Sequence, residues 1–202
     1  MASFAHRQCL SRSALLRRGG AALLASAAGT SWLAAGASAA TPDEDLAYLR
    51  LLIGVELLAA DFQSRAAASG KLRGGAGAAL KQMHGDEDAH YAGLAQLVTA
   101  AGQVPATADD IDFAYPKESF ASQGSILRSA WSIETLSLGA YLGAIENVQT
   151  PEIRLPIGQI AANEAQHLSA LAAALGRPAI GHAFAPSLSI DDVSTQLDHY
   201  ES

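Results

Sequence analysis

Six side chains in this sequence carry a chemistry that the helices around them do not call for. Residues 51–60 read Leu-Leu-Ile-Gly-Val-Glu-Leu-Leu-Ala-Ala, and Glu56 is the single polar group among them. Stepping by threes and fours gives Leu80, Met83, Glu87, His90, Leu94 and Leu97 in a second segment. A third gives Leu127, Trp131, Glu134, Leu138, Tyr141, Ile145 and Val148, and a fourth Ile157, Ile160, Glu164, His167, Leu171 and Ala174. Each apolar seam is interrupted by a carboxylate, and two of them add a histidine one turn later. A buried, unpaired carboxylate costs several kcal/mol, so four at one core demand compensation. Two divalent cations would neutralise four glutamates, with two imidazoles completing the coordination. Glu56, Glu87, His90, Glu134, Glu164 and His167 are therefore the candidate metal ligands.

The elements that must position these groups are four long helices. Thr41-Pro42-Asp43-Glu44 predicts a helix start, with Thr41 as cap, Pro42 in the first turn and Glu44 returning the capping bond. That helix runs to Gly70. A second, entered loosely through Gly74, Gly75 and Gly77, runs to about Gly102. A third starts between Ser119 and Ser125 and ends near Asn147. Thr150-Pro151-Glu152 opens a fourth that ends at Gly176, with a kink or later start expected at Pro156. Ser189-Ile-Asp-Asp192 caps a short last helix to about Tyr200.

Short turns make the first and second helices, and the third and fourth, antiparallel pairs. Residues 103–118 can span ~50 Å at about 3.3 Å per residue, against ~39 Å for a helix of about 26 residues, so this loop can cross the bundle end to end. Glu56 and Glu87 lie at similar distances from their turn, as do Glu134 and Glu164 from theirs, so the four carboxylates are level. The expected fold is all-α: a four-helix bundle of two hairpins joined by a long crossover, spanning residues 40–176, with a tail at 177–202 that holds the short helix.

Composition agrees and excludes alternatives. Half of the 202 residues are apolar, one is Cys, and the formal charge is -7. That rules out a disordered chain, a disulfide scaffold and a Cys-based zinc module, and it disfavours nucleic acid as partner.

The constellation resembles the ferritin-like superfamily of di-metal carboxylate proteins. Asp86-Glu-Asp-Ala-His-Tyr91 and Glu134-Thr-Leu-Ser-Leu-Gly-Ala-Tyr-Leu-Gly-Ala144 are similar to the bacterial ferritin-like domain family that includes desiccation-related proteins. The resemblance covers about residues 43–176. It implies that Glu87 and Glu164 bridge two metal ions, that His90 and His167 each cap one, and that Glu56 and Glu134 are terminal. It also implies iron as the first candidate and manganese as the second, with oxygen or peroxide as partner. Three functions share these residues: Fe(II) oxidation or peroxide and oxygen consumption, a manganese catalase-like enzyme, and a non-catalytic metal-stabilised envelope or stress bundle. Tyr141, two turns beyond Glu134, is read either as a hydrogen-bond partner of the ligands or as a packed core residue. Homo-oligomer formation is left open.

Residues 1–39 read as an address. They hold Arg7, Arg12, Arg17 and Arg18 and no acidic residue, followed by a short Ala/Leu/Gly-rich run and Ala37-Ser38-Ala39. A charged start, a short apolar stretch and a small-x-small site predict an export signal cleaved near Ala39/Ala40, giving a periplasmic or extracytoplasmic protein without a stable membrane span. Arg17-Arg18 resembles a twin-arginine signal. Cleavage would take the formal charge from -7 to -11 and remove Cys9. A rubrerythrin-like peroxidase with a cysteine-ligated iron domain is excluded on that basis.

Smaller expectations follow. His84 is partly exposed, Glu146 lies at the surface, His182 and His199 carry no signal, and Asp109 to Asp112 form a solvated loop. Gly139 and Gly143, with Ala140 and Ala144, allow close approach of a neighbouring helix.

Overall fold

The computed structural model describes residues 41–201. The expected export signal at residues 1–39 lies outside them. The described chain is all-helical: α1 Asp43–Ala68, α2 Gly74–Ala100, α3 Gln123–Asn147, α4 Pro151–Ala174 and α5 Ile190–Leu197, with 3₁₀ turns at Ala108–Asp110 and Asp198–Tyr200. The four long helices pair as two antiparallel hairpins, α1 with α2 and α3 with α4, and the long connection at 101–122 joins them. No helix among the described residues is long and apolar enough to cross a membrane.

The helix ends show local chemistry at work. α1 starts on Pro42, whose carbonyl accepts from Leu46 N, and Thr41 supplies no side-chain cap. The capping expectation at Thr41 is thus replaced by a run of acidic residues, Asp43, Glu44 and Asp45, which suit the positive end of the helix. The first hairpin turns on Gly70 and Gly74, at φ 64° and 59°, the left-handed region that residues with a Cβ avoid. α2 starts at Gly74 itself. Ser122 Oγ accepts from Ser125 N at 3.1 Å and fixes the start of α3. α4 starts at Pro151 and continues through Pro156, so the later start expected there does not occur. Asp45, fully buried, reaches from α1 to the second turn: Gln149 N and Thr150 N donate to its two oxygens at 2.8 and 2.9 Å.

The buried stripe of α2 is Leu80, Met83, Glu87, His90, Leu94 and Val98, so Val98 takes the place expected for Leu97. On α4 the stripe ends at Leu171 and Ala172, and Ala174 is exposed. On α3 the deepest positions include Ile126, Ala130, Ile133, Ser137, Ala140 and Ala144, while Trp131, Leu138 and Ile145 are only half-buried. That helix is covered on two sides, which rotates its seam from the expected one.

The second cover is the tail. Leu188 N donates to Gly139 O at 2.9 Å, and the Leu188 side chain and carbonyl fill the space where a Cβ of Gly139 or Gly143 would stand. The two glycines thus admit the tail at Leu188, not a neighbouring helix as expected. α5 then lies over the outer face of α1, with Leu197 Cδ1 against Gly54. The last residues meet the crossover, where Ala114 N donates to Tyr200 O at 2.7 Å. A cavity of about 140 Å³ remains between α1, the crossover and α5, lined by Leu51, Gly54, Phe113, Ile190 and Leu197 among others.

Candidate metal centre

Each hairpin delivers three of the six candidate ligands to the middle of the bundle. Glu56 comes from α1, Glu87 and His90 from α2, Glu134 from α3, and Glu164 and His167 from α4. All six are buried, and the four glutamates are inaccessible. Within each Glu-x-x-His the two side chains sit one turn apart on the same face. His90 Nδ1 stands 3.3 Å from Glu56 Oε2, 3.3 Å from Glu87 Oε2 and 3.1 Å from Glu164 Oε1. His167 Nδ1 stands 3.3 Å from Glu87 Oε1, 3.3 Å from Glu134 Oε2 and 3.6 Å from Glu164 Oε2. The imidazole rings are 6.0 Å apart between centroids.

The six resolve into two overlapping groups, each able to hold a metal ion. One is Glu56, Glu87, His90 and Glu164; the other is Glu87, Glu134, Glu164 and His167. In each, one ligand atom per residue lies within 4.8 Å of all the others. Glu87 and Glu164 belong to both, one oxygen of each turned to either histidine.

The donor set fits cations. Glu56 Oε2 and both oxygens of Glu164 are buried and accept no hydrogen bond, although imidazole nitrogens are close by. Protons stand in for the cations. Burial pushes the Glu56 and Glu134 carboxyls well above the usual carboxylate range, and the charges of Glu87 and Glu164 add to it. Burial also acts on Glu87, but hydrogen bonds from His167 and His90 outweigh it and hold that carboxyl down at about 2. Glu164 is lowered too, by the nearby imidazoles of His167 and His90 against the effect of its burial. Burial would lower His90, yet Glu164, Glu56 and Glu87 pull it up to about 12, and His167 is raised likewise by Glu134, Glu164 and Glu87.

Around the ligands stand three groups that orient them. Tyr141, fully buried on α3, donates its hydroxyl to Glu56 Oε1. Burial and the Glu56 charge push that phenol well above its ordinary value, so it keeps its proton. Gln63 Nε2 donates to Glu87 Oε1 at 3.0 Å and to Glu134 Oε1 at 2.8 Å, while its own Oε1 is buried without a partner. Asp86 Oδ2 meets His167 Nε2 at 3.2 Å, behind the imidazole. Sequence reasoning did not single out Gln63 or assign Asp86 this contact. The signal for Gln63 was its place seven residues after Glu56, matching Tyr141 seven after Glu134. One turn out along the helices, Leu52, Met83, Leu94, Ala130, Ile160 and Leu171 are all buried and keep bulk water away.

A buried four-helix centre of this composition has a counterpart among known sequence families. The family model described as ferritin-like domain matches residues 44–177. The chain belongs to the ferritin-like domain family. No curated protein matches its sequence. The match takes in α1 through α4 and hence all six buried ligand candidates of this ferritin-like chain. The remaining polar candidates lie apart from the centre. His84 is half-buried, Glu146 is exposed and accepts from Ser187 Oγ at 3.1 Å, and His182 and His199 are exposed. Asp110 closes the 3₁₀ turn by accepting from Thr107 N and Oγ1, both at 2.9 Å.

Proposed function

We propose that this ferritin-like chain is an exported protein that binds two metal ions, iron before manganese, and uses them to oxidise Fe(II) or consume peroxide or oxygen. The observation that supports it is the pair of overlapping cation-sized groups that share Glu87 and Glu164. In this reading those two glutamates bridge, Glu56 and Glu134 are terminal, and His90 and His167 each serve one ion. Bound there, a redox metal pair supplies a change of valence and open positions for a small oxygen-containing substrate. The chain's own residues do the rest. Tyr141 holds a proton on Glu56 Oε1, Gln63 ties Glu134 to Glu87, and Asp86 fixes the tautomer of His167. The buried apolar turns above and below restrict the site to molecules as small as oxygen or peroxide.

The test is anaerobic loading with Fe(II), exposure to oxygen or peroxide, and measurement of ferric absorbance in the near ultraviolet. The loaded protein should oxidise Fe(II) faster than iron in buffer. Glu134→Ala should slow that reaction more than it lowers total iron, since a terminal ligand is lost while the shared ones stay. Oxidation no faster than in buffer would remove the oxidase reading and leave a metal-stabilised bundle. Elemental analysis of protein from its own host's envelope fraction decides between iron and manganese.

A further inference from the structure

The two hairpins share a ligand spacing that matches α1 to α3 and α2 to α4. It carries Glu56 to Glu134, Glu87 to Glu164 and His90 to His167, so the six ligand candidates match. The groups behind them do not. Gln63 corresponds to Tyr141, each seven residues after its glutamate, and Asp86 corresponds to Asn163, each one residue before. Asp86 places a carboxylate 3.2 Å from the far nitrogen of His167. No described residue is bonded to the far nitrogen of His90.

We infer that the two metal positions are unequal, and that the Glu134–His167 position takes a divalent cation first and more tightly because Asp86 backs its imidazole. This rests on the two-metal reading above. A carboxylate on Nε2–H leaves the Nδ1 lone pair facing the centre, raises its basicity, and adds a negative charge to that side alone. Asp86 is 27% exposed, so its field is partly screened, but the hydrogen bond itself is not. The other mismatch does not by itself set the two positions apart. Tyr141 occupies Glu56 Oε1 and Gln63 occupies Glu134 Oε1, so each terminal glutamate gives up one oxygen.

Anaerobic titration of the metal-free protein with Co(II) tests this, read by visible absorbance and by stoichiometry after equilibrium dialysis. Wild type should bind two Co(II) in two steps, the first at least tenfold tighter. His167→Ala should abolish the first step and His90→Ala should spare it. Asp86→Asn should weaken the first step by about 10- to 100-fold and leave the second in place, with far-ultraviolet circular dichroism unchanged. Two ions bound in wild type with equal affinity would overturn the inequality while leaving the two-metal reading intact. So would a first step that survives in His167→Ala, or an Asp86→Asn variant with an unchanged ratio of steps. Wild type that binds no Co(II) would overturn the metal reading itself, and this inference with it.

Discussion

Glu87 and Glu164 differ from the other four ligands in one respect: each faces both histidines. Glu87→Ala or Glu164→Ala should therefore lose both ions, while His90→Ala should mainly weaken one, as measured by metal content after dialysis. Full occupancy in Glu87→Ala would count decisively against the assignment. Proton linkage gives a second expectation. Burial and neighbouring carboxylates raise the affinity of Glu56 and Glu134 for protons, and facing carboxylates raise that of His90 and His167. A cation must expel such protons, so acid favours the empty form and affinity falls as pH drops. Metal binding should release protons, read from calorimetry in buffers of different ionisation enthalpy. A binding constant flat with pH would mean the ligands are already deprotonated.

Two glycines give opposite predictions because different elements approach them. A Cβ on Gly54 would meet only Leu197 Cδ1, at 3.7 Å, at the edge of the cavity under α5. Gly54→Ala should raise stability by about 1 kcal/mol, the helix-propensity difference. A Cβ on Gly143 would collide with the carbonyl of Leu188. Gly143→Ala should lower stability by about 1–3 kcal/mol as the tail is pushed off, both read by denaturant unfolding. These contacts also mark where the sequence was legible. α2 and α4 are each buried along one stripe, so spacing alone located their ligands. α1 has no such contrast, because Leu52 to Ala59 are buried on every side by partners that include a segment far away in sequence. The seam of α3 was misjudged for the same reason, since tail docking on Gly139 leaves no local pattern. Gln63 and Asp86 were hidden differently. A polar residue near a ligand reads as solvated until its partner on another helix is known.

For the molecule as a whole, the proposed cation binding would be coupled to folding. The six ligands come from four helices that converge only in the native state, so metal binds folded chain in preference to unfolded. At a free concentration of about 100 times Kd, one site adds about 2.7 kcal/mol of stability. The melting temperature should rise with Fe(II) or Mn(II) and fall with chelator; a melting temperature indifferent to both would separate the centre from the fold. The expected export signal makes a further prediction at this scale. Intact mass of the envelope-purified protein should match residues 40–202, and a full-length, membrane-embedded product would sink that reading.

The cover that α5 and Leu188 place over α1 and α3 has a consequence in time. Of the described helices, synthesis makes α1 first and α5, which closes its outer face, last. Until Leu188 to Leu197 have been made, the side of α1 that faces α5 lacks that cover, and the seat for Leu188 on Gly139 and Gly143 stands open. The four ligand helices are complete by Ala174, so a nascent chain can assemble its cation centre while its exterior is unfinished. Seating of Leu188 and α5, not arrival of the last ligand candidate, then closes this face. A transport system that inspects folding before passage would be inspecting the seating of this tail.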